Sequence, residues 1–169
     1  MLTGDIDAIL SRHPHTRNHY LGTYPVDSLP TQRKPLTCFV SNTDPHDEPG
    51  EHWVAVYTTR DRETFFFDPY GIPPITPEHL RYCHRSKAWD YNRRQIQKLT
   101  SKTCGIHCIR FLITACQLHN PYLAIVRMWR QKRPTTDAGA RKYLRETVKA
   151  LTRTTPLNTL TPSSTFAET

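Results

Sequence analysis

Leu99-Thr-Ser-Lys-Thr-Cys-Gly-Ile-His-Cys-Ile-Arg-Phe-Leu-Ile-Thr-Ala-Cys116 changes character at Cys104. Before it the stretch is polar. After it Ile106, Ile109, Leu112, Ile113 and Cys116 recur at three- and four-residue steps, which is one face of a buried helix. Ser101 and Thr103 both suit the N-cap. Cys104 therefore belongs at or beside a helix N-terminus, where unpaired N–H groups favour negative charge and so favour thiolate over thiol. Gly105 leaves room for another backbone to approach. A cysteine nucleophile needs this setting. A small buried cysteine opening a core helix has the same local pattern, so the rest of the chain must choose between them.

The chain has 169 residues, enough for one domain with a real core. We expect a single domain over residues 1–151 and a flexible Thr-, Ser- and Pro-rich tail over 152–169. Hydrophobic content is 37% and mean hydropathy is −0.63, so the composition is that of a polar globular protein. No apolar run has the length of a membrane span, and Met1 to Leu10 lacks the basic start and apolar core of a signal peptide. The five cysteines are an odd set, with Cys104, Cys108 and Cys116 crowded on one predicted helix. This reads as free thiols in a reducing compartment. A net charge of +8 points to polyanion partners or an acidic substrate surface.

Outward from Cys104, residues 3–11 suggest a short helix with Thr3 as cap and Ile6, Ile9 and Leu10 as its apolar face. His13, His15 and His19 follow without helical spacing and around Pro14, which describes a solvated loop better than a metal site. Residues 36–40 read as a buried strand. Residues 42–50 form a loop rich in turn formers, and residues 52–57 a strand apolar on both faces. Phe65-Phe-Phe67 completes a hairpin, closed by the turn at Asp68-Pro-Tyr-Gly71. Residues 72–94 look irregular or weakly helical, with a helix from Pro77 through Cys83, and residues 95–97 look like a short strand. Two further helices are expected, over 122–132 after Asn120-Pro121 and from the caps at 135–137 to about Leu151.

His52 opens one buried strand, Asp68 closes the next, Gln97 precedes Cys104 by seven residues, and Cys104 starts the helix. Adjacent antiparallel strands bring the start of one beside the end of the other. A thiol protease needs this set: an imidazole to take the thiol proton, an acid to orient the imidazole, and donors for the oxyanion.

At this point the sequence resembles the adenovirus-type cysteine protease (adenain) family, in the clan that also holds SUMO- and ubiquitin-like-protein proteases. The matching residues are Tyr20-Leu-Gly-Thr-Tyr24, Asn42-Thr43, His52-Trp53, Phe66-Phe-Asp-Pro-Tyr-Gly71, Gln97, Ser101 and Cys104-Gly105, across about residues 20–113. The resemblance implies an α+β fold, with a small mixed sheet packed against a central helix that starts at the catalytic cysteine. It implies His52 as general base, Asp68 as its orienting acid, Cys104 as nucleophile, and Gln97 with the Cys104 N–H as oxyanion hole. Adenain itself has Glu where this chain has Asp68; the SUMO-protease relatives have Asp.

No cofactor is required for such chemistry. The resemblance implies an activating viral peptide and DNA as accessory factors, viral precursor proteins as substrates, a monomer without membrane attachment, and a location in the host nucleus and virion. Adenain joins its peptide through a cysteine in the segment where this chain has Cys83. DNA would meet the basic C-terminal helices, with Arg127, Arg130, Lys132, Arg133, Arg141, Lys142, Arg145 and Lys149. A solvated basic face is the plainer account of the same residues.

Alternatives stand beside several of these readings. Gln95 competes with Gln97 on the same face of a strand, and spacing to Cys104 favours Gln97. Asp90 is an alternative acid in a polar stretch. Trp53 suits either the core or the site. Cys104, His107 and Cys108 make a weak zinc set without a second ligand pair. A SUMO or ubiquitin-like-protein protease, or a nucleic-acid-binding module on an inactive protease fold, are the rival functions.

Overall fold

The computed structural model describes residues 3–31, 34–131 and 136–154. In chain order it contains α1 (Thr3–Leu10), β1 (Tyr20–Tyr24), a short 3-10 turn (Val26–Ser28), β2 (Cys38–Asn42), β3 (Trp53–Thr58) and β4 (Thr64–Phe67). These are followed by α2 (Pro77–His84), β5 (Trp89–Tyr91), α3 (Cys104–Leu118), α4 (Pro121–Arg130) and α5 (Asp137–Thr154). The strands form one mixed sheet in the order β1-β2-β3-β4-β5. The two outer pairs are parallel, and β2-β3-β4 is an antiparallel meander.

The central strands are apolar on both faces because both faces are covered. Alternation sends Cys38, Val40, Ala55, Tyr57, Phe65 and Phe67 to the side packed with α3, and Phe39, Val54, Val56 and Phe66 to the side packed with Tyr82 and Cys83 of α2. Phe67 and Phe111 of α3 stack with ring centroids 4.4 Å apart. Each such fully buried side chain contributes about 1.5–3 kcal/mol. The fold is thus the expected α+β arrangement, a small mixed sheet against a helix that begins at Cys104.

Several local expectations shift. Every residue of α3 from Cys104 to Cys116 is buried, so the helix is enclosed on all sides, with Arg110, His107 and Thr114 inside as well. Residues 20–24 form a strand parallel to β2, and residues 89–91 add an edge strand within the stretch read as irregular. Residues 95–97 are not a strand: the N–H groups of Ile96 and Gln97 both donate to the Pro69 carbonyl at 2.9 Å, tying them to a loop. Asn120 caps α4 by accepting from Leu123 N–H at 3.0 Å. α5 runs three residues past the expected end, through Thr154. The remainder of the expected tail, residues 155–169, lies outside the described residues, as do Lys132 and Arg133.

Candidate active site

His52 stands one residue before β3, and Asp68 one residue after β4, at the same end of the pair. The register sets Ala55 opposite Phe67. One further step sets Asp68 opposite Val54, a diagonal neighbour of His52, within reach of long side chains. The His52 Nε2 and Asp68 Oδ1 are 3.0 Å apart. The Tyr70 N–H donates to the same oxygen at 2.7 Å, and the Tyr70 ring stacks on the imidazole with centroids 4.7 Å apart.

Asp68 is itself held by a residue the sequence did not single out. Asn92 Oδ1 accepts the Asp68 N–H at 2.8 Å, and Asn92 Nδ2 donates to the Asp68 carbonyl at 2.6 Å and to the Arg94 carbonyl at 3.2 Å. Tyr70 lay inside the quoted turn with no role assigned. Asn92 follows a three-residue edge strand and carries no local signal. Asp90, the alternative acid, pairs with Arg93 at 2.7 Å and accepts from Tyr122 Oη at 3.3 Å.

Cys104 is the first residue of α3. Thr103 occupies the N-cap without a side-chain capping bond, and Ser101 turns its hydroxyl to Thr103 at 2.6 Å. With Nε2 engaged by Asp68, Nδ1 is the imidazole nitrogen left to serve the neighbouring Cys104 thiol. Burial pushes the Cys104 thiol up. The His52 hydrogen bond, the Trp53 and Gly105 backbone N–H groups and the imidazole's charge outweigh it, and the thiol lies below its ordinary range. Burial pulls His52 down. Its hydrogen bonds to Asp68 and Cys104 and the charges of both outweigh this and raise it to about 9. Each group therefore favours the charged form of the other, thiolate beside imidazolium. Cys108, one turn on, instead donates its thiol to the Trp53 carbonyl at 3.3 Å, and burial pushes it well up.

A cleft of about 500 Å³ opens over Cys104, lined by Gly50, Glu51, Trp53, Tyr70, residues 99–102 and Gly105. Trp53 serves both readings, packing in the core with 9% exposure and lining this cleft. Gln97 is buried and does not line the cleft; it anchors the loop that does. Its Nε2 donates to the Ser101 carbonyl at 2.7 Å, and its Oε1 is buried without a partner among the described residues. Gln95 is exposed and donates to the Gln97 carbonyl at 2.7 Å, so the two glutamines do not share a face. Cys83, on α2, is fully buried. The pair at His52 and Cys104 can attack an electrophilic carbon and deliver a proton to a leaving group, with Asp68 fixing the imidazole.

No family model matches the chain, and no curated protein matches it. Among solved structures, the selenomethionine crystal structure of the ASFV pS273R protease is similar in fold, with a TM-score of 0.57 at 15% sequence identity. The match covers 85% of this chain, which spans 66% of the length of that protease.

Proposed function

We propose that the protein is a cysteine endopeptidase that cleaves viral precursor proteins during particle maturation. The observation that carries this reading is the His52 imidazole paired with the Asp68 carboxylate beside Cys104, which opens α3 and lines a cleft. Similarity in fold to a viral protease supports it. In this reading Cys104 Sγ attacks the scissile carbonyl carbon, and its electron pair becomes the new S–C bond. The carbonyl oxygen takes up negative charge, met by the Cys104 backbone N–H, while Gln97 holds the cleft wall from behind through the Ser101 carbonyl. The imidazolium of His52 passes its proton to the departing amine as the C–N bond breaks. Water, deprotonated by the same imidazole, then releases the acid and restores the thiolate.

The test is hydrolysis of internally quenched peptides carrying a Gly-Gly pair, since the resembling families cut after small residues. The parent is expected to cleave some of them, and Cys104→Ala to cleave none while keeping the fold. A Cys104→Ala protein that still cleaves, or a parent inert toward every peptide, overturns the assignment. Cleavage of ubiquitin-like fusions in preference to viral precursors would move the protein to the rival reading within the same clan.

DNA is the proposed accessory partner. Arg127 and Arg130 on α4, and Arg141, Lys142, Arg145 and Lys149 on α5, are exposed. Phosphate contacts of this kind weaken linearly in log affinity against log salt. Anisotropy titration of a random duplex at several salt concentrations, with parent and an Arg127→Gln/Arg130→Gln variant, reads it. An unchanged salt slope in the variant removes α4 from the contact.

A further inference from the structure

One residue ties the cleft wall together. Ser101 donates its N–H to the Lys98 carbonyl at 3.0 Å and accepts Gln97 Nε2 on its own carbonyl at 2.7 Å. Its hydroxyl is 2.6 Å from that of Thr103 and donates to Asp137 Oδ1. A hydroxyl has one hydrogen. Given to Asp137, it leaves the Ser101 oxygen to accept from Thr103, so the chain runs Thr103 to Ser101 to Asp137 with each hydrogen assigned. A carboxylate at the end of such a chain strengthens the bonds before it.

Asp137 is the first residue of α5, 36 positions from Ser101 in sequence. The helix is otherwise lightly seated: Ala140 is its buried residue, and Leu144 and Leu151 are partly buried against the core. Yet its first carboxylate reaches, through one hydroxyl, both flanks of the reacting centre. One flank is the loop that holds the Gln97 amide. The other is Thr103, whose peptide bond carries the Cys104 N–H.

We propose that Asp137 is a positioning residue for the oxyanion side of the cleft, acting through Ser101 on the 97–101 loop and on the Cys104 N–H. The inference rests on the peptidase reading. Oxyanion donors act by being in place before charge develops, and a loop freed from its tether spends less time in that arrangement. α5 is thereby part of the catalytic apparatus and not an appendage to it.

Asp137 also sits at a helix N-terminus, where an acid stabilises the helix itself, so the test must separate the two roles. On a quenched Gly-Gly peptide, Asp137→Ala is expected to lower kcat about tenfold with KM unchanged, less than loss of a direct donor costs. Asp137→Asn keeps an oxygen for the Ser101 hydroxyl and should recover most of the loss. Alkylation of Cys104 by iodoacetamide builds no oxyanion, so Asp137→Ala should be alkylated at the parent's rate. The Ser101→Ala/Asp137→Ala double variant should be no slower than the worse single one, because both remove one interaction. An unchanged kcat in Asp137→Ala, a parallel fall in kcat and alkylation, or additive single effects overturns the proposal. A parent alkylated at Cys104 that cleaves no peptide overturns the peptidase reading, and this inference with it.

Discussion

At the scale of single residues, the site is an argument between burial and pairing. Cys104 is 7% exposed, and burial alone would keep its thiol protonated. His52 and the backbone N–H groups of Trp53 and Gly105 reverse that outcome. His52 would likewise be neutral by burial, and Asp68 and Cys104 raise it to about 9. The two shifts belong to a coupled pair, and they set a pH window. The ion pair forms as pH rises through the lowered range of the thiol, and it ends where His52 loses its proton near pH 9. Above that the thiolate remains, but no proton is left for the leaving amine. Peptide hydrolysis by the parent is therefore expected to fall as pH rises through about 9, while alkylation of Cys104 by iodoacetamide does not fall. Asp68→Asn keeps the shape and loses the charge that supports the imidazolium, so the alkaline limb of hydrolysis should move to lower pH. Rate–pH profiles for the two reactions, with parent and variant, check this. Alkylation that drops together with hydrolysis would mean that the limb reports the thiol or the fold.

At the scale of elements, the site depends on a turn meeting a loop. The turn after β4 closes with Gly71 N–H donating to the Asp68 carbonyl at 2.8 Å, and the Pro69 carbonyl then accepts from Ile96 and Gln97. Gly71 has φ of +74°, and a Cβ there would lie 2.6 Å from the Arg94 carbonyl carbon. Gly71→Ala thus meets both a left-handed backbone and a rigid neighbour. It is expected to destabilise the fold by at least about 1–2 kcal/mol. It should also lower kcat by pushing segment 94–97 away from the turn. Denaturant melts and peptide turnover read the two effects, and a variant as stable and as fast as the parent would refute this account of the turn. The same turn shows what local pattern can reveal. β2, β3, β4 and α3 were legible because consecutive apolar residues must be covered on two faces and because Cys104 stands where polar sequence gives way to helical spacing. β1 and β5 were not, since their half-buried residues lie at the sheet edges and have no period to read. His52 and Asp68 followed from hairpin geometry, whereas Asn92, Asp137 and the true setting of Gln97 depend on contacts between loops distant in sequence. α5 outran its expected end because Thr152 to Thr154 interrupt the apolar pattern without stopping a helix; Pro156 is the first residue in the sequence that does.

At the scale of the whole molecule, charge and burial are unevenly distributed. The loop beside the cleft carries Asp44, Asp47, Glu48 and Glu51, while exposed cations populate α4 and α5. Inside, two imidazoles away from the reacting pair are enclosed without a counter-charge strong enough to hold a proton. Burial lowers His79 to about 4, against a small opposing pull from Asp68; its Nε2 lies 2.9 Å from the Ser41 hydroxyl and its Nδ1 2.7 Å from that of Thr76. Burial and then Arg110 lower His107 to about 4, with Asp137 opposing, and its Nδ1 has no partner among the described residues. Unfolding releases both to the ordinary value of 6.5. Between about pH 4 and 6.5 the unfolded chain therefore binds protons at these two sites that the folded chain does not, so stability rises with pH and is lost on acidification. Each imidazole contributes a slope of up to about 1.4 kcal/mol per pH unit within that window. Acid destabilisation should thus trace chiefly to the two buried imidazoles and to carboxylates titrating below them. His79→Gln keeps polar atoms toward Ser41 and Thr76 but cannot take up a proton, so the pH dependence of its unfolding free energy should be flatter than the parent's between pH 6.5 and 4.5 by about one proton. Denaturant titrations across that range measure it, and a variant whose stability falls with acid as steeply as the parent's would place the titrating groups elsewhere.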